Sequence, residues 1–392
     1  MMIRIFVCLF LLFLTTASSL CAQPTISIGV SLALTGKYQE MGLMQKKGFS
    51  LWEKHVNSKG GILSKKIRVL FHDDQSDGNL AKAIYQKMIE EENIDLVFGP
   101  YSSGISEAIL PITEKHKYPV LLSGASSDNL WEKGYEYAFG VYTPASKYTV
   151  GFLQMLVTKK LKNIAIISAD DTFSVELSEN TAKWAKKFRL NVMIFERFKK
   201  GNNDLTQIAS EVKASQIQAL IVCGHLDESV AMRLALKKIG WYPKAYYASV
   251  GPATQEYRTV LGNDSDLTFS SSQWEKQVGI QFPNGKEFIK SFHDDYQEDP
   301  SYHAATAYAS GMILEAALNK VGTMDRKRLR DTLSTMDTMT IIGRYGVDKS
   351  GMQVRHFPLI IQWQDGMKKV VWPEKLKETD PLFKQGSQFQ ND

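Results

Sequence analysis

Short apolar runs separated by stretches of helical period restrict this chain more than any other feature. TISIGVSLAL (25–34), KIRVLFHDD (66–74), IDLVFGP (94–100) and YPVLLSG (118–124) read as strands. Between them lie a helical stretch over 43–58, GNLAKAIYQKMIEEEN with Asp77 placed to cap it, and ISEAILPITEKH. The order then restarts with KNIAIISADD (162–171), LNVMIFERF (190–198), QALIVCGH (218–225) and AYYASVG (245–251). Strands this rich in Val, Ile and Leu, alternating with helices, need cover on both faces, which means parallel sheets. The expected fold is α/β with two doubly wound parallel-sheet lobes.

At 392 residues the chain is long enough for two such cores. The region after about residue 275 is too short for a third domain. It holds a strong helix, SYHAATAYASGMILEAALNKVG (301–322), and an alternating hairpin around Gln364-Asp365-Gly366, where Asp-Gly is a turn signal. The tail from about Pro373 is polar and expected to be loose or wrapped on the surface.

A net charge of +5 with 23% charged residues, and no Lys/Arg stripe interleaved with aromatics, argues against a nucleic-acid partner. Lys159-Lys160 and Lys199-Lys200 read as solvated helix ends or loops. Arg4 precedes an apolar run from Ile5 to Leu14, too short to cross a bilayer, and small polar residues follow, so residues 1–22 read as a secretory signal peptide. Cleavage after Ala22 is expected in preference to lipid anchoring at Cys21, because Leu20 stands where a small residue is wanted. Cys8 and Cys21 fall in that segment, which leaves Cys223 as the mature chain's one cysteine, an inert thiol in an apolar strand.

The segment DLVFGPYSSGISEAILP (95–111) places a small, hydroxyl-rich turn at a strand's carboxyl end, where open parallel sheets bind ligands. A helix beginning near Gly104 offers free N–H groups, with Ser102 and Ser103 adding hydroxyls or capping it. LLSGASSDNL (121–130) ends a second strand in the same way. Two such ends converging suit a carboxylate or another small anion.

In their order, TISIGVSLALTGKYQEMG, GGILSKKIRVLFHDDQSD, FGPYSSGISEAILP, YPVLLSGASS, SYHAATAYASGMILEAAL and IQWQDGMKKVVWP resemble the periplasmic solute-binding proteins of the leucine/isoleucine/valine and amide type, which serve ABC importers. The resemblance covers nearly the whole mature chain. It implies two lobes joined by three crossover segments: 24–144 with 275–347, and 145–274 with 348–375, followed by a polar tail over 376–392. It also implies that Ser103, Ala125 and Ser127 hold a ligand carboxylate, that Phe173 and His225 approach from the second lobe, and that Tyr101 matches an aromatic of amide-type relatives. Tyr38, Trp274 and Tyr302 would face the cleft and wall in an apolar ligand body.

One departure from that pattern bears on the ligand. Amino-acid binders of the family place an acid near residue 250 for the ligand's ammonium, whereas Ser249 and Val250 stand here. A buried ammonium without an anion is costly. The expected solute is therefore a carboxylate or amide, with amino acids reduced in odds.

HDDQSDGN (72–79) resembles the start of a calcium loop, but Ile84 occupies the position that needs a Glu, and the histidines lack metal spacing. No cofactor fingerprint or nucleophile elbow is present, and Cys223 with His225 lacks an evident orienting acid, so an enzyme is disfavoured. The function expected is a monomeric periplasmic protein that captures a small solute between closing lobes and delivers it to importer permeases. The alternative is a sensor that presents its closed form to a membrane partner.

Overall fold

The structure, a computed structural model, describes residues 24–384. The expected leader 1–22 and the end of the tail, 385–392, lie outside the described residues.

The first sheet contains β1 (Thr25–Leu32), β2 (Lys66–Asp73), β3 (Leu96–Phe98), β4 (Val120–Leu122) and β5 (Ala138–Gly140). All its pairings are parallel, in the order β2-β1-β3-β4-β5. The second contains β6 (Asn163–Ala169), β7 (Asn191–Phe198), β8 (Ala219–Cys223), β9 (Ala245–Ala248) and β10 (Thr268–Ser272), parallel in the order β7-β6-β8-β9-β10. The two orders are the same doubly wound plan used twice, each reversing direction beside its first strand. A two-stranded ribbon of β11 (Thr338–Thr340) and β12 (Gly343–Tyr345) follows. The hairpin of β13 (Leu359–Gln364) and β14 (Met367–Trp372) then joins the second sheet antiparallel to β10. Its turn, Asp365-Gly366, has φ of 50° and 74°, the positive values an Asp-Gly hairpin supplies.

Burial explains why these runs became strands. Every residue of β8 and of β13 is buried, whereas β7, at the sheet edge, alternates exposed and half-buried residues until Phe198. The chain leaves the first lobe after β5, returns after β10, and crosses a third time between β12 and β13. The core of the first lobe accordingly mixes Ile28, Val30 and Phe98 with Leu314, Leu329 and Ile341. The tail, as far as it is described, is laid on the surface and pinned: Gln362 Nε2 donates to the Leu382 carbonyl at 2.7 Å, and Leu382 N–H donates back to Gln362 Oε1 at 2.8 Å.

Two local details differ from the sequence reading. The first helix spans Gln39–Ser58 and so begins a turn earlier than its period suggests. Its first turn is buried at Met41 and Gly42, and the Tyr38 N–H ahead of it donates to Ser76 Oγ at 3.1 Å. The acidic turn works as a brace: Asp73 accepts from Leu34 N–H, Thr35 N–H and Thr35 Oγ1, and Asp77 caps the helix Gly78–Glu90.

The first helix packs on the long helix Tyr302–Val321, and Gly311 makes that contact possible. A Cβ there would lie 2.1 Å from Trp52 Cδ2. Gly311→Ala should therefore destabilise by about 1–3 kcal/mol through overpacking, against a gain of about 1 kcal/mol in helix propensity. Urea denaturation measures which dominates, and a lower midpoint is the expected outcome.

Candidate functional site

Five strand ends meet between the sheets. Turns after β3 and β4 supply Tyr101, Ser102, Ser103, Gly124 and Ser126 from the first lobe; those after β6, β8 and β9 supply Phe173, His225 and Val250 from the second. With Tyr142, Tyr148 and Tyr302 they line a narrow, tightly closed cavity. Among the described residues, no acidic side chain lines this cavity.

The first-lobe wall is built from hydroxyls and backbone amides. The helix Ser103–Lys115 starts at Ser103, capped by Ser102 Oγ, which accepts from Ile105 N–H at 3.3 Å. Ser103 Oγ accepts from the N–H groups of Ser126 (3.2 Å) and Ser127 (3.1 Å), tying the two turns together and leaving its own proton to donate. The Tyr148 hydroxyl accepts from Gln273 Nε2 at 2.6 Å and shares a 2.6 Å bond with Ser126 Oγ.

Two wall residues are held in unusual backbone conformations. Ser102 has φ 77° and ψ 145°. Val250 has φ 57° and ψ −64°, at the centre of a three-residue turn in which Gly251 N–H donates to the Ser249 carbonyl at 2.6 Å. A β-branched residue at positive φ costs on the order of 1–3 kcal/mol, and such strain concentrates at ligand sites.

The second-lobe wall rests on a charged cluster. Lys200, 15% exposed, donates to Asp171 Oδ2 and to His225 Nδ1, both at 3.0 Å, and lies 3.9 Å from Glu228 Oε1. Asp171 also accepts from Ser174 Oγ at 2.7 Å, and Glu228 Oε2 accepts the His225 backbone N–H at 2.8 Å. Burial, reinforced by the Lys200 cation, lowers His225 to about 4, so its ring is neutral near neutral pH. Burial opposes ionisation of Asp171, yet His225 and Lys200 hold its carboxyl well below the usual range. Tyr38 closes the cluster from the first lobe, its ring 4.9 Å from that of His225 and 5.1 Å from Lys200 Nζ.

A second contact crosses between the lobes beside the cavity. Glu176, one turn after Phe173, accepts from Ser127 Oγ and from the N–H groups of Asp128 and Asn129, the last at 3.4 Å. Burial, with the Asp128 carboxylate nearby, pushes Glu176 up to about 7 against the pull of these donors.

Tyr101, Ser103, Phe173, His225 and Tyr302 are thus brought together on the cavity, and Tyr38 backs it. Ala125 is buried in the first-lobe core, and the Ser127 amide and hydroxyl are engaged by Ser103 and Glu176; neither lines the cavity. Trp274 lies away from it, its indole N–H donating to the Ile341 carbonyl at 2.9 Å in the first-lobe core. Lys200 is not a solvated loop residue. It follows β7, the edge strand beside β6, and the acids Asp171 after β6 and Glu228 on the helix after β8 surround it. Tyr142, Tyr148 and Glu176 were also not singled out from the sequence; only the position of Glu176, three residues after Phe173 on one helix, signalled it. Cys223 is buried, which raises its thiol and leaves it unreactive.

Comparison with known proteins accords with this geometry. The family model described as periplasmic binding protein matches residues 25–368. "Leu/Ile/Val-binding protein homolog 7" of Brucella suis is 26% identical over 376 residues, covering 90% of this chain and 92% of that protein. Among solved structures, the branched-chain amino acid transporter substrate binding protein LivJ from Streptococcus pneumoniae, in complex with isoleucine, superposes with a TM-score of 0.79 at 22% identity, covering 89% of this chain and all of that one. A solute binding protein of an ABC transporter from R. palustris, in complex with benzoate, gives 0.78 at 17% identity, covering 88% and 95%. These two likenesses show the shared fold.

Removing the Tyr148 hydroxyl strands the buried Ser126 and Gln273 polar groups. Tyr148→Phe should cost about 1–3 kcal/mol, read as a lower urea midpoint with secondary structure unchanged by circular dichroism.

Proposed function

We propose that this chain, which belongs to the periplasmic binding protein family, captures a small carboxylate or amide outside the cytoplasm and delivers it to the permeases of an ABC importer. The observation that carries the choice of solute is the chemistry of the cavity wall. It offers donors, from the Ser102 and Ser103 hydroxyls, the first amides of the helix Ser103–Lys115 and the His225 ring, against aromatic walls of Tyr101, Tyr142, Tyr148, Phe173 and Tyr302. It offers no ionised acid for an ammonium group. Isoleucine and benzoate in the two neighbours bracket the choice, and the wall favours the second kind: an apolar or aromatic body with one carboxylate.

In this reading residues 24–144 with 275–347 form one lobe and 145–274 with 348–375 the other. The solute docks first on the Ser103 turn, and the second lobe then swings over it with Phe173 and His225. Ser103 donates directly; Ser127 and Ala125 shape the turn behind it.

A thermal-shift screen of refolded protein tests the reading, because a solute that binds only the native state raises the melting temperature. Benzoate, 4-methylpentanoate and short amides should shift it and leucine should not; a shift with leucine and none with the acids overturns the assignment. Ser103→Ala should weaken the binding of the active acid by about tenfold, the value of one hydrogen bond to a charged group.

The Glu176 contact adds a pH dependence. Closed, this carboxyl sits at about 7, and an opened cleft returns it toward its ordinary 4.5. Closure therefore takes up a proton: the closed form gains as pH falls from about 7 toward 4.5, with no further loss above that window. Affinity for benzoate by calorimetry should be about tenfold higher at about pH 5.5 than at about pH 8, and Glu176→Gln should flatten the profile.

A further inference from the structure

The ring of His225 reaches the cavity with its protonation already decided from behind. A lysine ammonium has only protons to give, so the 3.0 Å contact from Lys200 Nζ requires a lone pair on His225 Nδ1. A neutral ring accepting there carries its proton on Nε2. We propose that Lys200 is a positioning residue that holds His225 as the neutral Nε2–H tautomer, so that the solute meets a donor without a positive charge at this wall.

The parts that enforce this belong to one lobe. Asp171 follows β6, Lys200 follows β7, and His225 and Glu228 follow β8. Lys200 is itself held: its backbone N–H donates to Asp170 Oδ1 at 2.8 Å, and its ammonium lies between Asp171 and Glu228 under the Tyr38 ring. The groups facing His225 are Lys200, Asp171 and Glu228 from its own lobe and Lys37 and the buried His303 from the other, with the Tyr38, Tyr101 and Phe173 rings packed around it. Two carboxylates thus stand against two cations. Lys200 is the cation in contact; without it the two acids are opposed chiefly by burial, and they raise the ring's affinity for a second proton.

The consequence for recognition rests on the solute reading above. A neutral donor serves an amide carbonyl nearly as well as a carboxylate, whereas an imidazolium would add a charge that strongly favours the acid. Lys200 therefore broadens the solute class toward uncharged oxygens.

Nitrogen NMR of histidine-labelled, ligand-free protein tests the positioning role without any solute. Across about pH 5 to 8 the wild-type His225 should remain neutral with Nε2 protonated, whereas Lys200→Met should bring its titration into that window and Lys200→Arg should restore the wild-type pattern. A wild-type ring protonated on Nδ1, or a Lys200→Met ring that stays neutral on Nε2 throughout, overturns the proposal. With benzoate and benzamide as probes, Lys200→Met should raise the preference for benzoate at least about threefold on going from about pH 8 to about pH 5.5, beyond any change in the wild type. If neither probe binds while the ring behaves as expected, the solute reading fails and the positioning role stands; an unchanged preference with a titrating ring overturns the proposed effect on recognition.

Discussion

Parallel pairing governs this molecule. A strand that must be entered from the same end as its neighbour sends the chain back over a face of the sheet, so every loop that opens a helix gathers along one edge. Both sheets run in the same order, each reversing beside its first strand, and the two edges face each other. The cavity is the space that remains between them. Its walls are turns because the geometry leaves only turns there, and they are rich in Ser and aromatics.

Within that frame one hydroxyl has an outsized share of the work. Ser103 Oγ takes the N–H groups of Ser126 and Ser127 and so fixes the β4 turn against the start of the helix after β3. The strained backbone at Ser102 and Val250 lies on opposite sides of the same space. Tight turns on one lobe are matched by a charged cluster on the other, where three strand ends bring Asp171, Lys200, His225 and Glu228 within 4 Å of one another's polar atoms.

Much of this was legible in the sequence, because period and composition are local properties. The repeated strand and helix runs, the Asp-Gly hairpin, the Asp77 cap and the serine turn at 102–103 each announce themselves within a dozen residues. What stayed hidden depends on where distant strand ends meet. Lys200 looks like half of a basic surface pair until β7 is set beside β6, which buries it among acids. Ser127 looks like a ligand group until Glu176 arrives from the other lobe to take its hydroxyl. Trp274 sits at a crossover, and which way its ring turns is decided by the Ile341 carbonyl, a partner far along the chain.

The cavity wall also has an optical consequence. Its aromatic lining is four tyrosines and one phenylalanine, and no tryptophan reaches it. Trp52 and Trp363 are sealed inside their lobes, and Trp184 rests on Phe188. Emission from these tryptophans therefore reports on the scaffolds rather than on the enclosed space. The phenol absorption band is the signal that sees the enclosed space directly.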